Sequence, residues 1–179
     1  DSSDKIARFV RLCDSFNIPL VTFVDCPGYL PGVDQEYHGV IRHGAKIIYA
    51  YSQATVPKLA VIVRRAIGGS YVALSSKQMG NDIAFAWPTA QIAVMGAEGA
   101  FRLLGRKAAQ ASPDPAEAER QFIADYREKF FNPYHAADLG QIDEVIEPRE
   151  TRLRLIRALE VVRTKVQTGP PKKHGLFPV

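Results

Sequence analysis

Two glycines and a serine, Gly68-Gly69-Ser70, give the clearest chemical signal in the sequence. They follow an apolar, β-branched run that predicts a buried strand, and a helical pattern starts directly after them. At such a junction glycine leaves backbone N–H groups uncovered at the positive end of a helix dipole, and this arrangement binds negatively charged oxygen. The pattern therefore predicts an oxyanion-binding site, although a Gly-Gly turn without function produces the same pattern.

A second glycine turn follows the preceding predicted strand. It begins with Asp25-Cys26-Pro27-Gly28 and continues to a second Pro-Gly pair at Pro31-Gly32. Two such pairs exclude both helix and strand and predict a wide turn. If the two strands are adjacent, this turn forms the wall opposite the first.

Other catalytic patterns are incomplete. The segment from Gly68 begins like the G-x-S-x-G nucleophile elbow, but Val72 stands where the last glycine is required, which disfavours a serine hydrolase. His38 and His43 are five positions apart, not the four of a metal-binding helix face, so we expect hydrogen-bonded structural or surface histidines and no metal site. Neither Cys13 nor Cys26 belongs to a C-x-x-C pair, and we expect Cys13 to fill the core.

The elements that carry the two turns alternate between strand and helix. Strands are predicted at 19–24, 56–63, 83–86, 91–95 and 142–146, and helices at 6–16, 35–54, 71–77, 115–130 and 149–166. A strand–turn–helix unit that occurs twice within about 50 residues is typical of parallel strands in an α/β fold. The first strand is nearly continuously apolar and is expected to be buried on both faces. Small residues in the 35–54 helix predict a close domain or subunit contact.

Length and composition limit the remaining classes. A chain of 179 residues with 46% hydrophobic and 23% charged residues predicts one globular domain. It has neither an apolar run of roughly 20 residues nor a signal-peptide pattern, so we expect a cytoplasmic protein that does not enter membranes.

The net charge of +4 lies entirely in residues 1–110. The basic residues are dispersed, which argues against nucleic acid as a partner. The missing initiator Met suggests a piece of a longer polypeptide.

Six ordered motifs, spread over essentially the whole chain, match one known family. They are Asp25-Cys26-Pro27-Gly28-Tyr29-Leu30-Pro31-Gly32, Gly44-Ala45-Lys46, Ile67-Gly68-Gly69-Ser70-Tyr71, Ala86-Trp87-Pro88-Thr89-Ala90, Ile92-Ala93-Val94-Met95-Gly96 and Pro171-Lys172-Lys173-His174-Gly175. In this order they resemble the carboxyltransferase (β) subunit of biotin-dependent acyl-CoA carboxylases, of the propionyl-CoA carboxylase type. The resemblance implies that residues 1–179 are the C-terminal carboxyltransferase domain, about half of such a subunit.

The resemblance also implies a fold and a mechanism. The family has two crotonase-like α/β domains with repeated β-β-α units, and the C-terminal one receives carboxybiotin. Carboxybiotin releases CO2, its ureido oxygen carries the developing charge, its freed nitrogen takes the acyl α-proton, and the enolate captures CO2. By position, the N–H groups of Gly69 and Ser70 act catalytically by holding the biotin oxyanion, Gly68 permits the turn and Gly28 lines the biotin pocket. Such chemistry needs no side-chain triad.

The partners implied by the resemblance lie outside this chain. Biotin is attached to a carrier protein that works with a biotin carboxylase subunit, and no cofactor is bound directly by this chain. Acyl-CoA is bound mainly by an N-terminal domain that is absent here. The subunits form a homo-oligomer whose active sites lie between N- and C-terminal domains of different subunits.

One residue departs from the propionyl-CoA carboxylase pattern. Val72 stands where those enzymes carry Asp, at a position that helps to set acyl length, and this leaves acetyl or longer acyl groups open. Two other functions remain compatible with the sequence. One is the α-subunit domain of a sodium-pumping, biotin-dependent acyl-CoA decarboxylase. The other is a non-catalytic crotonase-like interaction module in which the glycine turns only pack.

Overall fold

The centre of the fold is a five-stranded parallel sheet, seen in a computed structural model that describes residues 1–169, 171 and 173–178. Its strands are β1 (Leu20–Cys26), β2 (Lys58–Ile67), β3 (Ile83–Ala86), β4 (Gln91–Ala93) and β5 (Glu144–Val145). Their spatial order is β1-β2-β3-β5, and β4 pairs with the carboxyl end of β2. The predicted α/β class with parallel strands is confirmed.

Helices connect the strands. Those of the described residues are α1 (Ser2–Ser15), α2 (Val33–Tyr37), α3 (Val40–Gln53), α4 (Gly68–Ala73), α5 (Ala97–Ala100), α6 (Arg106–Gln110), α7 (Pro115–Phe130), α8 (Pro133–Asp138) and α9 (Thr151–Val162). Short 3-10 turns occupy Lys77–Met79 and Pro148–Glu150, and a π-helical turn, Phe101–Gly105, joins α5 to α6. The order β3, β4, α5 forms one β-β-α unit.

The two faces of the sheet are covered by different helices, because alternate side chains of a strand point to opposite faces. Leu20 of β1 packs in a cluster with buried residues of α1 and α3. Leu59 and Val61 of β2 lie on the other face, where Ala158 of α9 joins them. The helices α1 and α3 therefore share one face of the sheet, and α9 covers the opposite one.

Strand β1 differs from its expected burial. Val21 and Phe23 are 39% and 57% exposed, so the prediction of a strand buried on both faces is wrong. The reason is its position: β1 lies at the edge of the sheet, and the residues that pack around α9 cover β2 and β3 on that face. An apolar run by itself does not distinguish an edge strand from a central one.

The helix predicted over 35–54 is two helices. Gly39, with a φ of 72°, adopts the left-handed conformation between α2 and α3 and turns the chain there. Gly44 allows a close approach as expected, but from the Tyr29 ring of the same chain: a Cβ at position 44 would lie 2.8 Å from that ring. At Gly44 the contact is therefore within the domain, and it anchors the turn after β1.

The C-terminal tail packs without regular structure. Residues 173–178 form neither helix nor strand, as expected, while Pro170, Lys172 and Val179 of the predicted tail lie outside the described residues. Phe177 contacts Tyr49 edge-on at 5.1 Å between ring centroids, and the Arg11 guanidinium lies 4.7 Å from the centroid of its ring. No helix within the described part of the chain is long and apolar enough to cross a bilayer.

Candidate functional site

The turn after β2 passes into α4 without a loop. Gly68 is the first residue of the helix and has a φ of 68°, and a Cβ on it would lie 3.2 Å from the Val94 carbonyl oxygen. Both the left-handed conformation and the close carbonyl require glycine at this position. A Cβ on Gly69, in contrast, would meet no heavy atom within 4 Å. The backbone at Gly69 is thus open on the side where a side chain would project.

Two N–H groups lie at the start of this helix. Gly69 and Ser70 lie in the first turn of α4, where N–H groups have no partner inside the helix. The Ser70 hydroxyl is buried and donates to the Ile67 carbonyl oxygen at 2.9 Å. Ser70 therefore closes the turn with its side chain and is not placed as a nucleophile. Since α4 has six residues, the N–H groups themselves carry most of the positive potential.

A cavity of about 460 Å3 lies beside this turn. Gly68 and Gly69 form part of its wall, together with residues of β4, α7 and α8 and with the side chains of Gln78 and Gln141. The lining residues outside α4 include Ile92, Ala93, Val94, Phe130, His135, Ala136 and Leu139. Most of these side chains are apolar. The cavity thus suits a largely apolar group.

Val72 also lines this cavity. It lies one turn along α4 from Gly68 and Gly69 and is 36% exposed. A side chain there touches whatever occupies the space beside the glycine turn. The structure brings together Gly68, Gly69 and Val72, three of the residues that the sequence singled out.

The turn after β1 lies at the same end of the sheet. Cys26 pairs with Ala66, so the turns that follow β1 and β2 are neighbours, which confirms the expected adjacency of the two strands. Gly28 is not among the residues that line the 460 Å3 cavity. The cavity opens beside β4, which pairs along the other edge of β2. Gly28 faces open space instead, since a Cβ there would meet nothing within 4 Å.

Asp25 fixes the end of β1 to β2, a role that the sequence did not reveal. Its carboxylate accepts hydrogen bonds from Arg64 Nε at 3.0 Å and Nη2 at 2.7 Å, and from the Arg65 backbone N–H at 3.2 Å. The Arg64 hydrogen bonds, with support from Arg65, lower the pKa of Asp25 to about 2. The sequence carried two signals for this contact: an acidic residue, Asp25, at the end of one predicted strand, and the pair Arg64-Arg65 at the end of the next.

Tyr71 follows the glycine turn and also lines the cavity. Its hydroxyl is the one buried side-chain polar atom without a hydrogen-bond partner among the described residues. Burial raises the pKa of this phenol to about 12. The ring packs with Ala136 and Ile92, so its position is set by apolar contacts.

The two histidines singled out by the sequence lie away from the cavity. His43 Nδ1 is 3.0 Å from Asp4 Oδ1, and His38 Nδ1 bonds with the Asp34 carbonyl oxygen. The prediction that they are structural or surface residues is confirmed. Within residues 1–169, 171 and 173–178, no three His, Cys, Asp or Glu side chains are grouped as metal ligands.

A larger cavity, of about 670 Å3, lies at the opposite end of the sheet. Pro19 and Pro57, which precede β1 and β2, line it together with Leu159 of α9. None of the described residues that line it is a glycine. In open α/β sheets ligands bind at the carboxyl ends of the strands, so we take the cavity beside Gly69 as the candidate site.

Known proteins match this chain over its whole length. Residues 1–177 match the family model described as the carboxyl transferase domain. The carboxyltransferase subunit of propionyl-CoA carboxylase from Haloferax mediterranei is 54% identical over 179 residues, all of this chain and 35% of that protein. Subunit alpha of methylmalonyl-CoA decarboxylase from Propionigenium modestum is also 54% identical, again over all of this chain and 35% of its own length.

A solved structure agrees with these relatives. The transcarboxylase 12S hexamer, with methylmalonyl-CoA and methylmalonic acid bound, matches with a TM-score of 0.96 at 56% identity. The match covers 99% of this chain and 34% of that one. The chain belongs to the carboxyl transferase domain family and has its crotonase-like fold. It spans about a third of the length of these relatives, less than the half that the motifs implied.

Proposed function

We propose that this chain supplies the biotin side of a carboxyltransferase active site. The backbone N–H groups of Gly69 and Ser70 hold the ureido oxygen of carboxybiotin, which is attached to a carrier protein. The observation that carries the proposal is the turn after β2, where a left-handed Gly68 precedes an open Gly69 beside an apolar cavity. The acceptor is the α-carbon of a short-chain acyl-CoA.

The residues present fit the chemistry of biotin. Its fused rings are largely apolar and carry one ureido group, and the walls of the cavity at Ile92, Val94 and Leu139 are apolar as well. Gly69, one of the two proposed donors, lies on the wall of this space. The absence of a side chain at Gly69 leaves room for an oxygen to approach them. The cavity therefore offers apolar contact along its walls and hydrogen bonds at one point.

The chain's part in the reaction is electrostatic. Carboxybiotin supplies the carboxyl group, and its transfer leaves negative charge on the ureido oxygen. A preorganised N–H donor aimed at such a charge is worth roughly 3 kcal/mol of transition-state stabilisation. Gly68 fixes the turn by its conformation, and the hydrogen bond from Ser70 to the Ile67 carbonyl oxygen holds the next residues. The donors thus need no rearrangement during the reaction.

Two further residues take roles at the edges of the site. Val72, on the cavity wall, limits the length or polarity of the acyl group, so acetyl, propionyl and longer groups should differ in rate. Gly28, at the end of the neighbouring strand, is proposed to border the path by which carrier-bound biotin arrives from the β1 side. An assay of the full-length subunit with its carrier against these acyl-CoAs would rank them.

Partners complete the proposed enzyme. We propose a biotin carboxyl carrier with a biotin carboxylase subunit, acyl-CoA bound mainly by the rest of the subunit, and a homo-oligomeric, cytoplasmic assembly. The hexamer of the transcarboxylase 12S relative supports the oligomer. Since Gly44 packs against Tyr29 of the same chain, this small residue of α3 does not explain subunit contact.

Replacing Gly69 with Val tests the oxyanion site. A Val side chain finds open space in this fold, but it projects toward the ligand and blocks the N–H groups. We expect carboxyl transfer in the full-length subunit to fall at least about 100-fold while the folded structure is retained. Turnover is measured with carrier-bound biotin, and folding is measured by circular dichroism and thermal unfolding.

The matched control is Gly99→Val. Gly99 is exposed, lies in α5 and also has no heavy atom within 4 Å of an added Cβ, but it does not line the cavity. Both variants introduce the same side chain into a short helix. Unchanged turnover in Gly69→Val, or an equal loss in Gly99→Val, would contradict the proposed role of the turn.

A sodium-pumping decarboxylase is the second candidate function, favoured by the 54% identity to the Propionigenium decarboxylase subunit. It would run the transfer in reverse, from a carboxylated thioester to biotin, at the same turn. A biotin carboxylase subunit that copurifies with the full-length protein favours the carboxylase, and a membrane subunit favours the pump. A non-catalytic module is distinguished by failing to transfer carboxyl groups in either direction.

A further inference from the structure

Two glutamines give a polar part to the wall of the cavity beside Gly69. Gln78 lies in the 3-10 turn that follows α4, and Gln141 lies shortly after α8. Both residues line the cavity, where most of the other side chains are apolar. Gln141 is half-buried and Gln78 is exposed. The proposed contact between Gly69 and the biotin oxyanion uses neither of these amides.

An ion pair holds the backbone on which the two glutamines lie. Lys77, which precedes Gln78, places its Nζ 2.9 Å from each carboxylate oxygen of Asp143, two residues after Gln141. The same Nζ donates to the Asp82 carbonyl oxygen at 3.1 Å. Neither glutamine amide takes part in these hydrogen bonds. The two segments are thus fixed to each other by other groups, and the amides are not needed for that purpose.

Along β2, the glutamines and the glycine turn lie at different levels. The Asp143 N–H donates to the Ala84 carbonyl oxygen at 2.8 Å, which brings the segment after Gln141 beside the start of β3. Ala84 pairs with Ala60 in the first half of β2, whereas Gly68 follows the last residue of that strand. The cavity therefore extends from the carboxyl end of β2 toward the start of β3.

This direction leads away from the proposed biotin entry. Carrier-bound biotin is proposed to arrive from the β1 side, and β3 lies on the other side of β2. The space near Gln78 and Gln141 is then left for the acyl group. A carboxamide both donates and accepts hydrogen bonds, and it loses both when an alkyl group displaces its water. A hydroxyl group also donates and accepts, so it is a matching partner for such an amide.

We propose that Gln78 and Gln141 select a short-chain acyl-CoA that carries a hydroxyl group beyond its α-carbon. The hydroxyl donates to one amide oxygen and accepts from an amide NH2 group, while Val72 contacts the carbon chain. The α-carbon keeps its hydrogens and accepts the carboxyl group as in the proposed function, on which this proposal rests.

Two pairs of acyl-CoAs test the selection. Butyryl-CoA and 3-hydroxypropionyl-CoA have equal numbers of non-hydrogen atoms and differ in a terminal methyl against a hydroxyl. The pair 3-methylbutyryl-CoA and 3-hydroxybutyryl-CoA differs in the same way at a branch. For the full-length subunit with its carrier, we expect kcat/KM to be about 10-fold higher for the hydroxylated member of at least one pair, the effect of one hydrogen bond. Because the ratio compares two substrates of one enzyme, a defect on the biotin side cancels.

Replacement by leucine keeps the size of each glutamine but removes its amide. We expect Gln78→Leu and Gln141→Leu each to lower the preference for the hydroxylated substrate at least about threefold. Since Gln78 is exposed, its replacement leaves folding intact even if Gln141→Leu does not fold. The control is Gln91→Leu, because Gln91 is half-buried like Gln141 but does not line the cavity. It should keep the wild-type ratio.

The outcomes separate this proposal from the proposed function. A ratio near 1 or below in both pairs overturns the selection by the glutamines and leaves the oxyanion role of Gly69 in place. The selection is also overturned if both glutamine variants keep the wild-type ratio, or if Gln91→Leu lowers it equally. Absence of carboxyl transfer to every acyl-CoA overturns the proposed function and this proposal with it.

Discussion

The glycine turns that follow β1 and β2 lie side by side, yet they are held in different ways. The turn after β1 is wide and depends on side chains: Asp25 binds Arg64 and Arg65, and the Tyr29 ring packs over Gly44. The turn after β2 has no loop. It is set by the left-handed backbone of Gly68 and by one hydrogen bond from a buried serine hydroxyl.

Because of this difference, the turn after β1 is adjustable and the turn after β2 is fixed. A charge network in contact with water responds to pH, salt and substitution of its members. A backbone conformation imposed by glycine does not titrate, and only a change of that residue or of its packing moves it. Donors for an oxyanion are best placed on the second kind of turn, because any displacement of an N–H group costs transition-state stabilisation.

The largest effect is expected from Gly68→Ala. Alanine in a left-handed conformation costs about 1–2 kcal/mol, and its Cβ would press on the Val94 carbonyl oxygen at 3.2 Å. We expect the free energy of unfolding to fall by about 1–3 kcal/mol and carboxyl transfer to fall further than stability alone explains. Chemical denaturation and turnover of the full-length subunit measure the two effects.

Gly69→Ala is the control for that variant. It adds the same methyl group one residue later, into open space and without a positive φ, in a helix where alanine is favoured. Its stability should be unchanged or slightly higher. If both alanine variants lose the same stability, the turn after β2 is not held by the conformation of Gly68.

A smaller effect is expected at Asp25, in the turn after β1. The pKa of Asp25 is about 2 in the folded chain, whereas the ordinary pKa of an Asp side chain, as in the unfolded chain, is 3.8. The ionised form therefore stabilises the fold above about pH 4. This stabilisation is lost as the pH falls from about 4 to about 2. Because Arg64 is well exposed, we expect Asp25→Asn to cost about 1 kcal/mol or less at neutral pH.

The measurement compares the unfolding free energies of wild type and Asp25→Asn across this pH range. The difference should vanish near pH 2 and shrink in high salt. Carboxyl transfer should change only modestly. A pH-independent or salt-independent difference would show that Asp25 holds the turn by shape and not by charge, and the contrast between the two turns would then disappear.

The sequence predicted what depends on local patterns. The sequence pattern predicts helix α7 at 115–130 and the glycine turn before α4, because caps, glycines and apolar periodicity are local. The exposure of Phe23 and the pairing of Asp25 with Arg64 could not be predicted. Both depend on which strands are neighbours, and that is fixed by long-range packing.

The cavity depended on long-range packing as well. Its walls come from α4, β4, α7 and α8, which are separated in sequence by up to about 70 residues, so no motif could describe them. Only the members on α4 carried a local signal. The residues Phe130, His135 and Leu139 join the site because α7 and α8 return over the end of β4.

The smallest effect is expected from Tyr71→Phe, which tests whether the site relies on backbone donors alone. The Tyr71 hydroxyl is buried without a partner, so its removal should leave the free energy of unfolding unchanged or raise it by up to about 1 kcal/mol. Tyr51→Phe is the control, because the Tyr51 hydroxyl lies 2.9 Å from Thr22 Oγ1 and its loss should cost about 1 kcal/mol. Turnover of the full-length subunit should be the same in wild type and Tyr71→Phe. A loss of turnover with stability preserved would mean that the phenol acts on the ligand, and the turn after β2 would then depend on a side chain just as the turn after β1 does.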